Sequence, residues 1–113
     1  MYKRQIEYNA KFPPNIKKAQ VYDPQRVWTG SDYMGSSLAS LNEVAEQKGY
    51  RLVATNITGA NAFFVRNDLT QALFTEDTSL QYLYNSPRYW LLLDHFLNIG
   101  HRADFGPYED LVK

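Results

Sequence analysis

The chain alternates near its start. In Arg4–Asn9, Ile6 and Tyr8 point one way while Gln5, Glu7 and Asn9 point the other. That period of two predicts a strand over residues 4–9. Phe12-Pro13-Pro14-Asn15 ends it, because proline donates no ladder hydrogen bond and restricts its predecessor. Residues 15–35 then read as one long connection. Pro24, Gly30, Asp32 and Gly35 punctuate it, and Val21, Tyr22, Val27, Trp28, Tyr33 and Met34 supply apolar anchors. A connection of this length is usually functional or disordered, and its aromatics argue that it packs on something. The period next becomes helical. Leu38, Leu41, Val44 and Ala45 form a stripe to be buried, Ser36 or Ser37 supplies a cap and Gly49 a stop, which predicts a helix over 37–48. Tyr50–Asn56 and Ala62–Arg66 are rich in β-formers. The gap between them, with Gly59, suits a hairpin, so strands 50–56 and 62–66 are expected as antiparallel neighbours.

Residues 75–100 read as helical. Thr75 is a cap for a short helix carrying Leu80, Leu83 and Tyr84, and Ser86-Pro87 is a start signal for a second helix. In that second segment, Arg88–Ile99, eight of twelve residues are apolar or aromatic. One core-facing stripe needs fewer. The surplus makes Trp90, Leu93 and Phe96 candidates for an interaction surface and a homo-oligomer a candidate assembly. The expected fold is α/β: a single domain or half-domain, with a small three-stranded mixed sheet whose last strand is antiparallel.

Composition narrows the function classes. With 113 residues the chain fits one domain. It has 12 basic and 12 acidic side chains, and a net charge of zero removes the usual electrostatic case for a nucleic-acid binder. Residues 1–26 hold six basic side chains against two acids, while residues 67–113 hold seven acids against three bases, an imbalance ordinary for a solvated surface. The absence of cysteine excludes disulfides, thiolate metal sites and cysteine nucleophiles. No apolar run reaches the ~18 residues of a membrane span, and no signal peptide is visible, so a cytoplasmic protein is expected.

Candidate chemistry is sparse. No glycine-rich phosphate loop exists; Gly30 and Gly35 flank Ser31-Asp32-Tyr33-Met34 without a following Lys-Ser/Thr. His95 and His101 do not share a helical face, and no metal site is expected. Ser36 and Ser37 fit capping better than nucleophilic chemistry. Glu7 and Asn9 are the notable polar residues, since they fall at the carboxyl end of the first strand, where open α/β sheets place ligands. Asn61 precedes the last strand and either belongs to that site or serves the turn. Trp28 and Tyr33 beside Lys17 and Lys18 offer a weaker surface for nucleic acid or glycan.

Ile6-Glu7-Tyr8-Asn9, the aromatic connection, Gly35-Ser36-Ser37-Leu38, Lys48-Gly49-Tyr50-Arg51-Leu52-Val53 and Asn61-Ala62-Phe63-Phe64-Val65-Arg66 follow one another in a specific order. That series resembles the C-terminal half of FkbM-type, methyltransferase-like proteins of the S-adenosylmethionine-dependent superfamily. The match covers most of residues 4–69, and the later Gly100-His101-Arg102 segment is similar to the tails of such proteins. The resemblance implies a Rossmann-like half-sheet with the last strand inserted between the other two. It places Glu7 and Asn9 on the substrate side of a cleft and makes residues 15–35 a lid or substrate-contacting insertion. The family's glycine-rich turn and its acidic cofactor residue lie in the other half, so this chain alone is expected to bind no cofactor and to be inactive. S-adenosylmethionine would enter only with that N-terminal half as partner. The alternative is a stand-alone α/β binding or oligomerisation module.

Overall fold

The computed structural model describes residues 3–70, 79–88 and 102–110. Along the chain lie β1 (Lys3–Glu7), β2 (Lys18–Gln20), α1 (Leu38–Gln47), β3 (Tyr50–Thr55), β4 (Asn61–Arg66), α2 (Leu80–Leu83) and β5 (Tyr108–Asp110). A short 3-10 turn, Asn67–Leu69, follows β4.

β1, β4 and β3 form one sheet in that order, so the last strand of the series sits between the other two. Both ladders are antiparallel. The expected mixed sheet is therefore corrected: β1 and β3 run the same way, but they never touch, and every neighbouring pair is antiparallel. β1 also ends earlier than expected. Tyr8 still donates its N–H to Ala60, but Asn9 turns away and donates to Ser36, which takes the chain out of the sheet.

The local chemistry of α1 is legible. Ser37 caps it, accepting from the Ser40 N–H, and Gly49 follows it with φ at +81°. Ser37 Oγ also accepts the Lys18 N–H at 3.0 Å, so the same hydroxyl ties β2 to the helix start. Leu38 is buried, and Leu41 and Ala45 pack on the core of Tyr8, Ala10, Leu52, Ala62 and Phe64. Val44, expected in this stripe, is 46% exposed. At 100° per residue it lies roughly 60° beyond Leu41, off the stripe's margin.

In β3 the register slips between Leu52 and Ala54, so that Val53 and Ala54 together oppose Phe63. This bulge breaks the alternation and buries the consecutive residues Leu52 and Val53. The loop that follows is organised by Asn56. Its side-chain oxygen accepts the N–H groups of both Ala60 and Asn61 at 2.9 Å.

The long connection is not structureless. It contains β2, which pairs antiparallel with β5 and so joins the connection to the 102–110 segment. Three-residue strands leave no periodic signal, and Lys18-Ala19-Gln20 has none. In the last third, the short helix is Leu80–Leu83 and its cap is Ser79, which accepts from the Tyr82 N–H. Ser86–Arg88 are irregular. Thr75 and the remainder of the expected 88–99 helix, with Trp90, Leu93 and Phe96, lie outside the described residues.

Gly59 joins the hairpin to this later segment. Its φ is +75°, and a Cβ there would sit 2.2 Å from the Ser86 carbonyl oxygen. Gly49 has a similar φ, +81°, but open space where a Cβ would go. Gly49→Ala is expected to cost only the left-handed backbone penalty, about 1–2 kcal/mol. Gly59→Ala adds an overpacking penalty and is expected to cost about 3 kcal/mol or more. Urea denaturation of both variants checks this, and equal losses would refute the close approach.

Candidate functional site at the carboxyl end of the sheet

Because β1 and β3 run the same way, Glu7 and Thr55 end at one edge of the sheet, and β4 begins there with Asn61. Glu7 is exposed and lies directly opposite Asn61 in the β1–β4 register. Two of the three expected site residues are thus brought together.

Asn9 is not with them. It is 1% exposed, and its amide nitrogen donates to the carbonyls of Asp32 at 2.7 Å and Met34 at 3.0 Å. Its oxygen accepts the Lys11 N–H at 3.1 Å. Both N–H groups of the side-chain amide fasten the long connection, and its oxygen holds the local backbone. The side chain therefore serves the packing of the connection. Asn61, the alternative turn former, leaves that work to Asn56.

A polar cluster closes the same end of the sheet. The Tyr8 hydroxyl donates to the Asn85 carbonyl at 2.7 Å, and the Tyr84 hydroxyl donates to the Ala10 carbonyl. Thr55 Oγ1 donates to the Leu83 carbonyl and accepts Asn85 Nδ2 at 2.8 Å. Burial pushes the Tyr8 phenol up despite its hydrogen bonds to Thr55 and Asn85. Burial first, and then the neighbouring Tyr8, push Tyr84 up as well. Both phenols are therefore protonated donors at neutral pH and serve the fold rather than proton transfer.

Arg88 borders this cluster. Its guanidinium donates to the Ile57 carbonyl and to Asn85 Oδ1, both at 3.1 Å, and its N–H donates to the Thr58 carbonyl at 2.7 Å. These acceptors are all neutral, and no carboxylate among the described residues pairs with it. Beside it, Thr58 is 4% exposed and its hydroxyl has no hydrogen-bond partner among the described residues. An anionic group is what this arrangement would attract. The sequence signal for Arg88 was hidden by Ser86-Pro87, which reads as a helix start.

A second cluster was not visible in the sequence, because its members come from three distant segments. Lys11 Nζ bonds Asp32 Oδ1 at 2.9 Å and the Asp104 carbonyl at 2.7 Å. The rings of Phe12, Phe105 and Tyr108 surround it, with centroids 4.9–5.5 Å away. Burial works against the Lys11 charge, but hydrogen bonding to Asp32 and Tyr108 outweighs it and holds the ammonium above the ordinary lysine value. The Asp104 carboxylate accepts from Gly106 N–H at 2.8 Å and from the Ser31 hydroxyl at 3.1 Å. The Gly106 N–H, above all, holds this carboxyl below the ordinary aspartate value, and Ser31, Arg102 and Lys11 add to the effect.

The surface considered for nucleic acid or glycan is largely spent. Lys17 pairs with Glu43 at 3.1 Å and Lys18 with Asp110 at 2.6 Å. The Tyr33 hydroxyl donates to the Pro107 carbonyl, and its ring meets Tyr108 edge-on. Trp28 remains 57% exposed. Of the described glycines with positive φ, Gly59 faces the Ser86 backbone, Gly49 stops a helix, and Gly30 and Gly35 lie in the connection. Among the described residues, no group of acidic and histidine side chains could hold a metal, and no helix is long and apolar enough to cross a membrane.

No family model matches the chain, and neither a curated protein nor a solved structure matches it significantly.

The Asp104 geometry has a pH signature. Its folded value lies below the unfolded 3.8. Its contribution to stability is therefore complete above that value and is lost as pH falls through the folded value. Asp104→Asn is expected to lower the urea midpoint at neutral pH and to flatten its fall below pH 3.8. An acid limb of unchanged steepness would contradict this assignment.

Proposed function

We propose that the chain is the C-terminal portion of a methyltransferase-like domain of the FkbM type, acting in the cytoplasm with a donor-holding portion supplied from elsewhere. The observation that carries this reading is the strand order β1-β4-β3, with α1 crossing between two strands of like direction and the final strand inserted antiparallel between them. That is the arrangement implied by the motif order of residues 4–69. A second observation supports it: β1 is exposed along its whole length, as an inner strand stripped of its neighbour would be.

In this reading Glu7 and Asn61 line the substrate side of the cleft. Arg88, with only neutral acceptors around it, supplies the positive charge that would orient an anionic group of the acceptor. S-adenosylmethionine would supply the electrophilic methyl group. Methyl transfer requires that methyl carbon to be held in line with a nucleophile. The residues described here offer no cradle for it, so the chain by itself is inactive.

Titration calorimetry with S-adenosylmethionine tests the reading. No binding heat is expected with residues 1–113. Binding is expected in a longer protein in which a strand and a glycine-rich turn precede them. If that longer protein also ignores the cofactor, the enzymatic reading fails, and the stand-alone assembly module, favoured by the exposure of all five β1 residues, takes its place.

A further inference from the structure

Arg88 is held in place without being neutralised. Its Nη1 donates to the Ile57 carbonyl and to Asn85 Oδ1, both at 3.1 Å, so both hydrogens of that nitrogen are taken and the guanidinium plane is fixed. Its backbone N–H donates to the Thr58 carbonyl at 2.7 Å, which pins the residue to the hairpin loop. The remaining edge, Nε–H with Nη2–H, has no acceptor among the described residues. That edge is a fork of two parallel donors, matched to two oxygens of one oxyanion. Arg66 shows the match within this chain: its Nε and Nη2 bind the two Asp68 carboxylate oxygens, both at 2.8 Å. Arg88 is half-buried, where a charge is less screened than at the open surface. Burial dominates at the Tyr8 and Tyr84 phenols, but the Arg88 charge works the other way at both and favours the anion.

A second observation falls on the same loop. Two buried side-chain oxygens among the described residues lack a hydrogen bond. One, Glu43 Oε2, lies 3.1 Å from Lys17 Nζ and so has an ion-pair partner. The other is the Thr58 hydroxyl, in a residue that is 4% exposed. An unpaired buried hydroxyl costs stability, and valine would fill the same space without that cost. The residue whose carbonyl anchors Arg88 therefore carries a donor without an acceptor.

We infer that Arg88 and Thr58 form a binding site for the phosphate group of a phosphate monoester, two oxygens on the Arg88 fork and the third on the Thr58 hydroxyl. Three donors and one positive charge suit a tetrahedral anion with three free oxygens. A carboxylate would fill the fork and leave the hydroxyl unpaired. Shut off from water in the free chain, the hydroxyl stays unpaired until a ligand reaches it from the Arg88 side. The inference rests on the reading of Arg88 as the group that orients an anionic acceptor, and it adds the chemical class of that acceptor. It needs no cofactor.

Heteronuclear NMR of the chain tests it, with inorganic phosphate, methyl phosphate or acetate replacing chloride at constant ionic strength. Both phosphates are expected to shift the Thr58, Gly59 and Arg88 amides along saturating curves. They should bind about tenfold tighter than acetate, the worth of one hydrogen bond to a charged group. Thr58→Val should raise the urea midpoint of the free chain and bring both phosphates down to the acetate level. Arg88→Gln, with the β3–β4 amide shifts unchanged, should abolish saturation with every anion. Shifts that never saturate in the wild-type chain overturn the proposal. So does equal affinity for phosphate and acetate, a site that refuses methyl phosphate, or phosphate affinity indifferent to Thr58→Val. The cofactor titration fails separately: a longer protein that binds S-adenosylmethionine but no phosphate loses this site alone, and one that binds phosphate but no cofactor loses the enzymatic reading alone.

Discussion

The four residues Tyr8–Lys11, where the chain leaves β1, hold the described parts of the molecule together. Between them they bind three distant segments. The Tyr8 hydroxyl reaches the backbone of Asn85, the Asn9 amide binds the carbonyls of Asp32 and Met34, the Ala10 carbonyl accepts from Tyr84, and the Lys11 ammonium holds Asp32 and the backbone of Asp104. Tyr8, Asn9 and Ala10 are buried. Buried polar groups cost roughly 1–3 kcal/mol each when left unpaired, so a small apolar residue at position 9 would strand the Met34 carbonyl and the Lys11 N–H and leave the Asp32 carbonyl only the Tyr108 hydroxyl at 3.3 Å. The tie is polar, directional and long-range, whereas the apolar core of Leu38, Leu52, Ala62 and Phe64 serves the sheet and its helix.

This division decides what the sequence could reveal. The sheet and α1 were legible because their signals are local. Alternation marked β1, the Ser37 cap and Gly49 bounded the helix, and the β-rich runs on either side of Gly59 marked the hairpin. The strand order is the one the resemblance implied, whereas the sheet expected to be mixed is antiparallel at both ladders. The hub was illegible because Lys11 and the Asp104 carbonyl lie 93 residues apart, and Tyr8 and Asn85 lie 77 apart. Neither spacing leaves any periodic trace. Asn9 was noticed, but as a polar residue at a strand end it could not be told from a ligand-binding one. Its burial, and the two carbonyls facing its amide, separate the two.

The candidate site inherits the same geometry. The 8–11 turn and the hairpin loop hold the 84–88 segment at the carboxyl end of the sheet, so that Arg88 stands beside Ile57 and Thr58. The rigid part is the tyrosine and threonine network beneath, whose hydroxyls are committed to backbone carbonyls. The part left for a ligand is the charge of Arg88 and the outer polar groups. β1 lies at the boundary of both aspects, since its carboxyl end leads into the hub while no strand among the described residues pairs with its outer edge.

Native-state hydrogen exchange of Asn9→Ala measures the hub most directly. The account predicts that the amides of Gln20, Val21 and Asp32, which bond across the connection and the 102–110 segment, lose most of their protection, while those of the β3–β4 ladder keep theirs. Uniform loss across both groups, or protection unchanged in the connection, would contradict it.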